Sequence, residues 1–181
     1  MYISLHVFIL VALFIFLYFI GFLNVVPHGN NLVQWDGGWY KNVHDNGYNY
    51  FPDKQSNSGF FPLFPYMWKF LGVGNAGIAI FNAIAFLIAF LLLAYFFDIK
   101  RRNIFLLLSV PSLFFCYIPY SESLFFLSSS LFLIGLHKSN KFLIIAGLFF
   151  ASTCRAASMF FVPAIFMMEF LSLDFSKKGW R

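Results

Sequence analysis

Charge is what this chain has least of. Only 10% of its 181 residues are Asp, Glu, Lys or Arg, where soluble domains carry roughly 25%. With 61% hydrophobic residues, that excludes an ordinary water-soluble domain and points to an integral membrane protein. Cysteine is scarce too. Cys116 and Cys154 both sit inside apolar runs, so neither a disulfide framework nor a thiolate metal site follows from them. His44 has no second histidine at ligand spacing nearby, which argues against zinc, and no metal is expected. The chain lacks a Gly-rich phosphate loop of the soluble kind. The N-terminus lacks a basic stretch and a small-residue cleavage site. Its apolar run is longer than the core of a signal peptide, so it reads as a retained helix.

What the chain has instead is phenylalanine, 29 residues of it, gathered into runs broken by charge, Gly or Pro. Six runs read as candidate membrane helices: 3–26, 75–97, 104–119, 123–136, 142–153 and 158–173. The first two are long enough to span; the other four are short. The stretch before the second run holds Pro62 and Pro65 and suits a short interfacial helix. The expected fold is all-α, a polytopic transmembrane helix bundle forming a single domain over 1–181.

Orientation follows from the basic residues. With the N-terminus in the cytoplasm, Lys100, Arg101, Arg102, Lys138, Lys141, Lys177, Lys178 and Arg181 face inward, eight of the twelve Lys and Arg. Lys41, Lys54, Lys69 and Arg155 stay outside. The positive-inside bias selects this arrangement. It places three polar spots on one outer face: the loop 27–73, the turn around Glu122, and the stretch around Arg155.

Each spot has a plain and a chemical reading. Asp36 precedes Gly37, Gly38 and Trp39, where it can cap a short helix over about 37–46 that ends at Asn46-Gly47. As a carboxylate among aromatics at a membrane surface, it can also serve as a general base toward a hydroxyl. Trp35, Trp39 and Tyr40 are either interfacial anchors or faces for a sugar or lipid. His44 is either a solvated loop residue or a substrate contact. Ser121 can cap the helix that follows it while Glu122 complements its dipole. An acid at a membrane helix end is also a functional candidate. Arg155 interrupts an apolar run. It can snorkel, pair with Glu122, or hold a phosphate with its guanidinium fork.

Four stretches in order carry a resemblance: WDGGWYKNVHDNGY from Trp35, GFFPLFP from Gly59, PSLFFCYIPYSESLFFL from Pro111, and AGLFFASTCRAASMFFVP from Ala146. Together they resemble the family of mannosyltransferases that add the second mannose of glycosylphosphatidylinositol anchors, and their bacterial relatives. The resemblance implies a GT-C-like glycosyltransferase that takes a sugar from a polyprenyl- or dolichyl-phosphate carrier. The acceptor would be a glycolipid or glycan on the outer or luminal face. It implies Asp36 as base and inversion at the anomeric carbon, with no nucleotide-sugar site and no cofactor. Trp35, Trp39, Tyr40, His44, Glu122 and Arg155 would bind substrate. The implied location is a bacterial plasma membrane or the ER membrane, with no nucleic-acid partner and room for a second membrane subunit. Family members are longer, with more spans after this point, so the chain is expected to correspond to the N-terminal part of that fold. The last stretch departs from the pattern, with RAAS where an Arg-Ser-Asn-Gly type ending is usual. The competing reading is a non-catalytic membrane protein: a transporter half, an assembly subunit or an inactive fragment. The run Ser128–Ser130 is its best support, although small polar residues also help helices pack.

Overall fold

The computed structural model describes residues 2–22, 29 and 31–172. The end of the first expected span, the first residues of the outer loop apart from Gly29, the last residue of the sixth run, and Lys177, Lys178 and Arg181 lie outside the described residues.

Among the described residues the chain is helical, with no strand. The helices are α1 (Tyr2–Phe19), α2 (Asp36–Asn46), α3 (Leu63–Leu71), α4 (Asn75–Phe96), α5 (Arg101–Leu108), α6 (Glu122–His137), α7 (Lys141–Cys154) and α8 (Phe161–Ser172). Short 3-10 turns occupy Asn57–Gly59, Pro111–Cys116 and Ala156–Phe160. One of these helices, α4, is long and apolar enough to cross a membrane. Its 22 residues reach roughly 33 Å at 1.5 Å per residue.

α4 shows why such a helix suits lipid. One face carries Ile78, Asn82, Phe86 and Phe90, all buried and spaced four residues apart. The other face carries Ile80, Ile84, Ile88 and Leu91, all exposed. A helix apolar on every side has no water-facing stripe. The exposed aromatics Phe142, Phe149 and Phe166 on α7 and α8 extend the same apolar surface, and surface of this extent marks contact with lipid or protein.

The expected runs and the helices agree unevenly. The runs 123–136 and 142–153 appear as α6 and α7, one residue longer at each end. The run 104–119 is not one helix. α5 ends at Leu108, and Val110 is extended before Pro111. Proline disfavours helical geometry in the residue before it and lacks the N–H a continuing helix needs. The sixth run is also split, with the 3-10 turn Ala156–Phe160 preceding α8.

α6 and α7 form a tight hairpin. A methyl group at Gly147 would stand 2.5 Å from the backbone nitrogen of Phe132, and one at Gly135 would stand 2.7 Å from that of Ile144. The two backbones touch where these glycines sit, the small-residue packing that membrane helices favour. Asn140 caps α7, its side chain accepting from the Leu143 N–H at 3.2 Å.

Two apolar clusters fix the remaining elements. Tyr40, Phe64, Trp68, Ile78, Leu124 and Cys154 bring α2, α3, α4, α6 and α7 together. Phe86, Phe90, Leu108 and Cys116 join α4 to α5 and to the segment before α6. α2 and α3 therefore pack at the end of the bundle where α4 and α6 begin and α7 ends.

Candidate active site

The site is built on the turn at residues 118–121. Pro119 and Tyr120 are buried there, and the turn is held from α4. Asn82 Nδ2 donates to the Ile118 carbonyl at 2.6 Å and to the Tyr120 carbonyl at 2.8 Å. Ser123 Oγ donates to the Cys116 carbonyl at 2.7 Å. The Tyr120 ring stacks on Phe115, with centroids 5.4 Å apart. A buried amide in an apolar helix is costly unless bonded, and Asn82 meets that need by fixing two carbonyls of the turn. Nothing in the sequence reading singled it out. The available signal was one amide inside a 22-residue apolar helix.

α2 lies against this turn. A methyl group at Gly37 would stand 3.2 Å from the Tyr120 ring and 3.3 Å from the Pro119 carbonyl oxygen, so the absence of a side chain brings the helix down onto the turn. The Tyr120 hydroxyl donates to the Gln34 carbonyl at 3.2 Å. Burial raises the Tyr120 pKa, and the nearby Asp36 carboxylate acts in the same direction. Asp36 does not cap α2, contrary to one expectation. It is the first helical residue; Trp35 holds the cap position with φ of 44° and no side-chain capping bond. Asp36 is exposed, at the positive end of the helix dipole.

From α2, Tyr40 reaches down to α6. Its hydroxyl and Ser121 Oγ are 2.7 Å apart, and the bond is buried. Burial pushes the Tyr40 phenol up to about 12, so it keeps its proton at neutral pH. Ser121 stands at the cap position of α6 but makes no capping bond. Its hydroxyl serves Tyr40, and Arg155 Nη1 also approaches it at 3.5 Å. Arg155 Nη1 donates to Glu122 Oε1 in an ion pair. Burial works against the Arg155 charge, yet the Glu122 carboxylate carries its pKa above the ordinary value. The other oxygen, Glu122 Oε2, is buried without a hydrogen-bond partner among the described residues. The expected approach of Glu122 and Arg155 is thus a direct contact.

Trp35, Asp36, Phe115, Tyr120 and Glu122 line one open cleft of about 470 Å³. Asp36 and Glu122, acidic residues from segments 86 positions apart, both line it, with Trp35 76% exposed beside them. The remaining expected contacts lie elsewhere. Tyr40 is buried with its ring edge-on to Phe60 and Phe64, so it has no free face for a sugar. Trp39 stacks on Phe60 with centroids 5.9 Å apart. His44 packs on the Trp68 ring at 5.0 Å and bonds Asp45 through Nδ1 at 2.6 Å, which gives it a structural place outside the cleft.

A second polar centre went unread in the sequence. Asn57, fully buried, donates to Asn42 Oδ1 at 2.6 Å and to the Gly47 carbonyl at 2.9 Å, and it accepts from the Asn49 N–H at 2.8 Å. This staples the loop after α2 to the helix itself. The hydroxyls of Ser128, Ser129 and Ser130 donate to carbonyls four residues back on α6. No cluster of three metal-ligating side chains occurs among the described residues. Comparison with known proteins returns no match to a family, a curated sequence or a solved structure.

Proposed function

We propose that the cleft is the transfer site of a membrane glycosyltransferase of GT-C type. It would move a hexose, mannose in the first instance, from a polyprenyl- or dolichyl-phosphate carrier to a hydroxyl of a glycolipid or glycan. The observation that carries the reading is the convergence of Asp36 and Glu122 on one cleft, with Arg155 bound to Glu122. Asp36 takes the proton of the acceptor hydroxyl. That oxygen attacks the anomeric carbon from the face opposite the phosphate, the bond to the phosphate oxygen breaks, and the carrier phosphate leaves with the bonding pair. The configuration inverts. Arg155 stabilises the leaving phosphate, because a guanidinium suits phosphate geometry and its charge counts most where water is partly excluded. Glu122 orients Arg155. Trp35 offers its exposed ring to the sugar.

The chain is read as multi-pass, its N-terminus cytoplasmic and the cleft outside. The exposed apolar faces of α4, α7 and α8 support this, as does the positive-inside bias. The competing transporter reading would place polar groups toward a mid-membrane cavity. The serine hydroxyls of α6 are bonded to their own helix instead.

The test is transfer of radiolabelled mannose from a polyprenyl-phosphate carrier in membranes holding the protein. Asp36→Asn keeps the size of the side chain and removes the base, so transfer should fall roughly 10²-fold or more at equal abundance. Asp53→Asn, in the exposed part of the same loop, should transfer near the parent rate. In sealed right-side-out vesicles the label should enter acceptors from the outer face. Equal rates for Asp36→Asn and the parent would leave Asp36 as a helix residue only, and transfer confined to inverted vesicles would reverse the orientation.

A further inference from the structure

We infer that Tyr40 is a positioning residue for Asp36: the buried bond between its hydroxyl and Ser121 sets the rotation of α2, so that Asp36 opens onto the cleft it shares with Glu122. The catalytic consequence rests on the transferase reading; the geometric part stands without it.

Three consecutive residues of the turn grip the start of α2. Pro119 and Tyr120 meet Gly37 closely enough to leave no room for a side chain without a shift. Tyr120 holds the Gln34 carbonyl. Ser121 holds the Tyr40 hydroxyl at 2.7 Å. The first two contacts set how near the helix lies to the turn. The third sets its rotation, because it acts at the end of a long side chain one helical turn further along. Residues four apart lie on the same face of a helix, so fixing Tyr40 fixes the direction in which Asp36 leaves α2. The Asp36 backbone lies against the Tyr120 hydroxyl, but its carboxylate makes no hydrogen bond or ion pair among the described residues that would otherwise aim it.

The same serine links this anchor to the second half of the site. Ser121 Oγ lies between the Tyr40 hydroxyl and Arg155 Nη1, and Arg155 holds Glu122. One hydroxyl therefore sets the spacing between the carboxylate that would accept a proton and the pair that would hold the phosphate. Such spacing matters because a misplacement of about 1 Å can slow a reaction by roughly 10²-fold.

Tyr40→Phe tests this. The ring keeps its edge contacts with Phe60 and Phe64, so the variant should reach parent abundance. Two readouts separate the two layers. In the first, Asp36→Cys and Glu122→Cys are combined and joined in membranes by a short bifunctional thiol reagent. The native thiols of Cys116 and Cys154 are buried, and single-cysteine controls check that they stay unreactive. The pair should cross-link in the Tyr40 background and do so at least about threefold less in Tyr40→Phe. In the second, Tyr40→Phe with both carboxylates intact should lower kcat for mannose transfer about tenfold while KM for the carrier lipid stays unchanged. Ser121→Ala should reproduce both effects. Unchanged cross-linking in Tyr40→Phe overturns the inference even if the protein transfers mannose, and so does a failure of the 36–122 pair to join at all. Reduced cross-linking in a protein that transfers no sugar upholds the positioning role and removes the transferase reading.

Discussion

The α2–α3 segment and the α6–α7 hairpin are held by different means. In the hairpin, backbones touch: Gly135 and Gly147 leave no space for a methyl group, and the serine hydroxyls turn back onto their own helix. In the α2–α3 segment, apart from the close approach of Gly37 to the Pro119 carbonyl, side chains span the gaps. Asn57 holds one end of α2, and Tyr40 and Tyr120 hold the other. Between two helices that are apolar over most of their length, small residues let backbones approach and close packing decides. The difference shows where each region is fragile: the hairpin to added volume, the α2–α3 segment to lost hydrogen bonds.

Substitutions can break or sharpen that contrast. Gly147→Leu should have the largest effect, since even its Cβ would lie 2.5 Å from the Phe132 backbone nitrogen. A loss of about 3 kcal/mol, the upper part of the usual overpacking range, is expected, read as reduced folded yield and a lower unfolding midpoint in detergent. A Gly147→Leu protein as stable as the parent would show that α6 and α7 do not depend on contact between backbones.

Asn57→Ala should cost less, about 1–3 kcal/mol, because it strands the Gly47 carbonyl, the Asn49 N–H and Asn42. The loss should stay local, as faster proteolysis between Gly47 and Pro62 with the hairpin unchanged. If the whole bundle unfolds in step with that loop, the two regions form one cooperative unit and the contrast fails.

Lys41→Ala should have the smallest effect. Lys41 pairs with Asp45 one turn on, at 2.7 Å, in an exposed position, where such pairs contribute about 0.3–0.5 kcal/mol. The Lys41 hydrogen bond, aided by His44, holds the Asp45 pKa below 3.8. A depressed carboxylate pKa stabilises the fold above the unfolded value and loses that contribution as pH falls through the folded one. The difference between Lys41→Ala and the parent should therefore begin to shrink as pH falls below about 3.8, vanish once it has passed the lower folded value, and shrink with salt at neutral pH. A thermal-shift series in pH and ionic strength checks both.

How much of this was legible depended on distance along the chain. α2 could be read from Trp39, Tyr40 and Val43 on one side and Asn46-Gly47 as a stop; Tyr40 and Val43 are buried and Gly47 ends the helix with φ of 76°. α6 and α7 could be read from apolar runs bounded by charge. The break in the third run was visible in principle as Pro111, but hydropathy counts the proline's neighbours and not its missing N–H. Glu122 and Arg155 could be paired because two opposite charges in otherwise apolar runs seek each other. Asn82, Asn57 and the Tyr40–Ser121 bond could not be read. Each depends on which segment a polar side chain meets across the fold, and composition carries no record of that. For the same reason the structural partners of Tyr40 and His44 could not be read: an aromatic near an acid looks like a sugar platform until the residue that takes its hydroxyl or covers its ring is known.

The Tyr40–Ser121 bond joins residues 81 positions apart, and that span has a meaning in time. A ribosome adds about 5–20 residues per second, so Tyr40 leaves the synthesis machinery roughly 4–16 s before the residue that anchors it. During that interval α2 lacks the serine partner of its Tyr40 hydroxyl, and Arg155 arrives later still. A helix made early is thus anchored only once the start of α6 has been made.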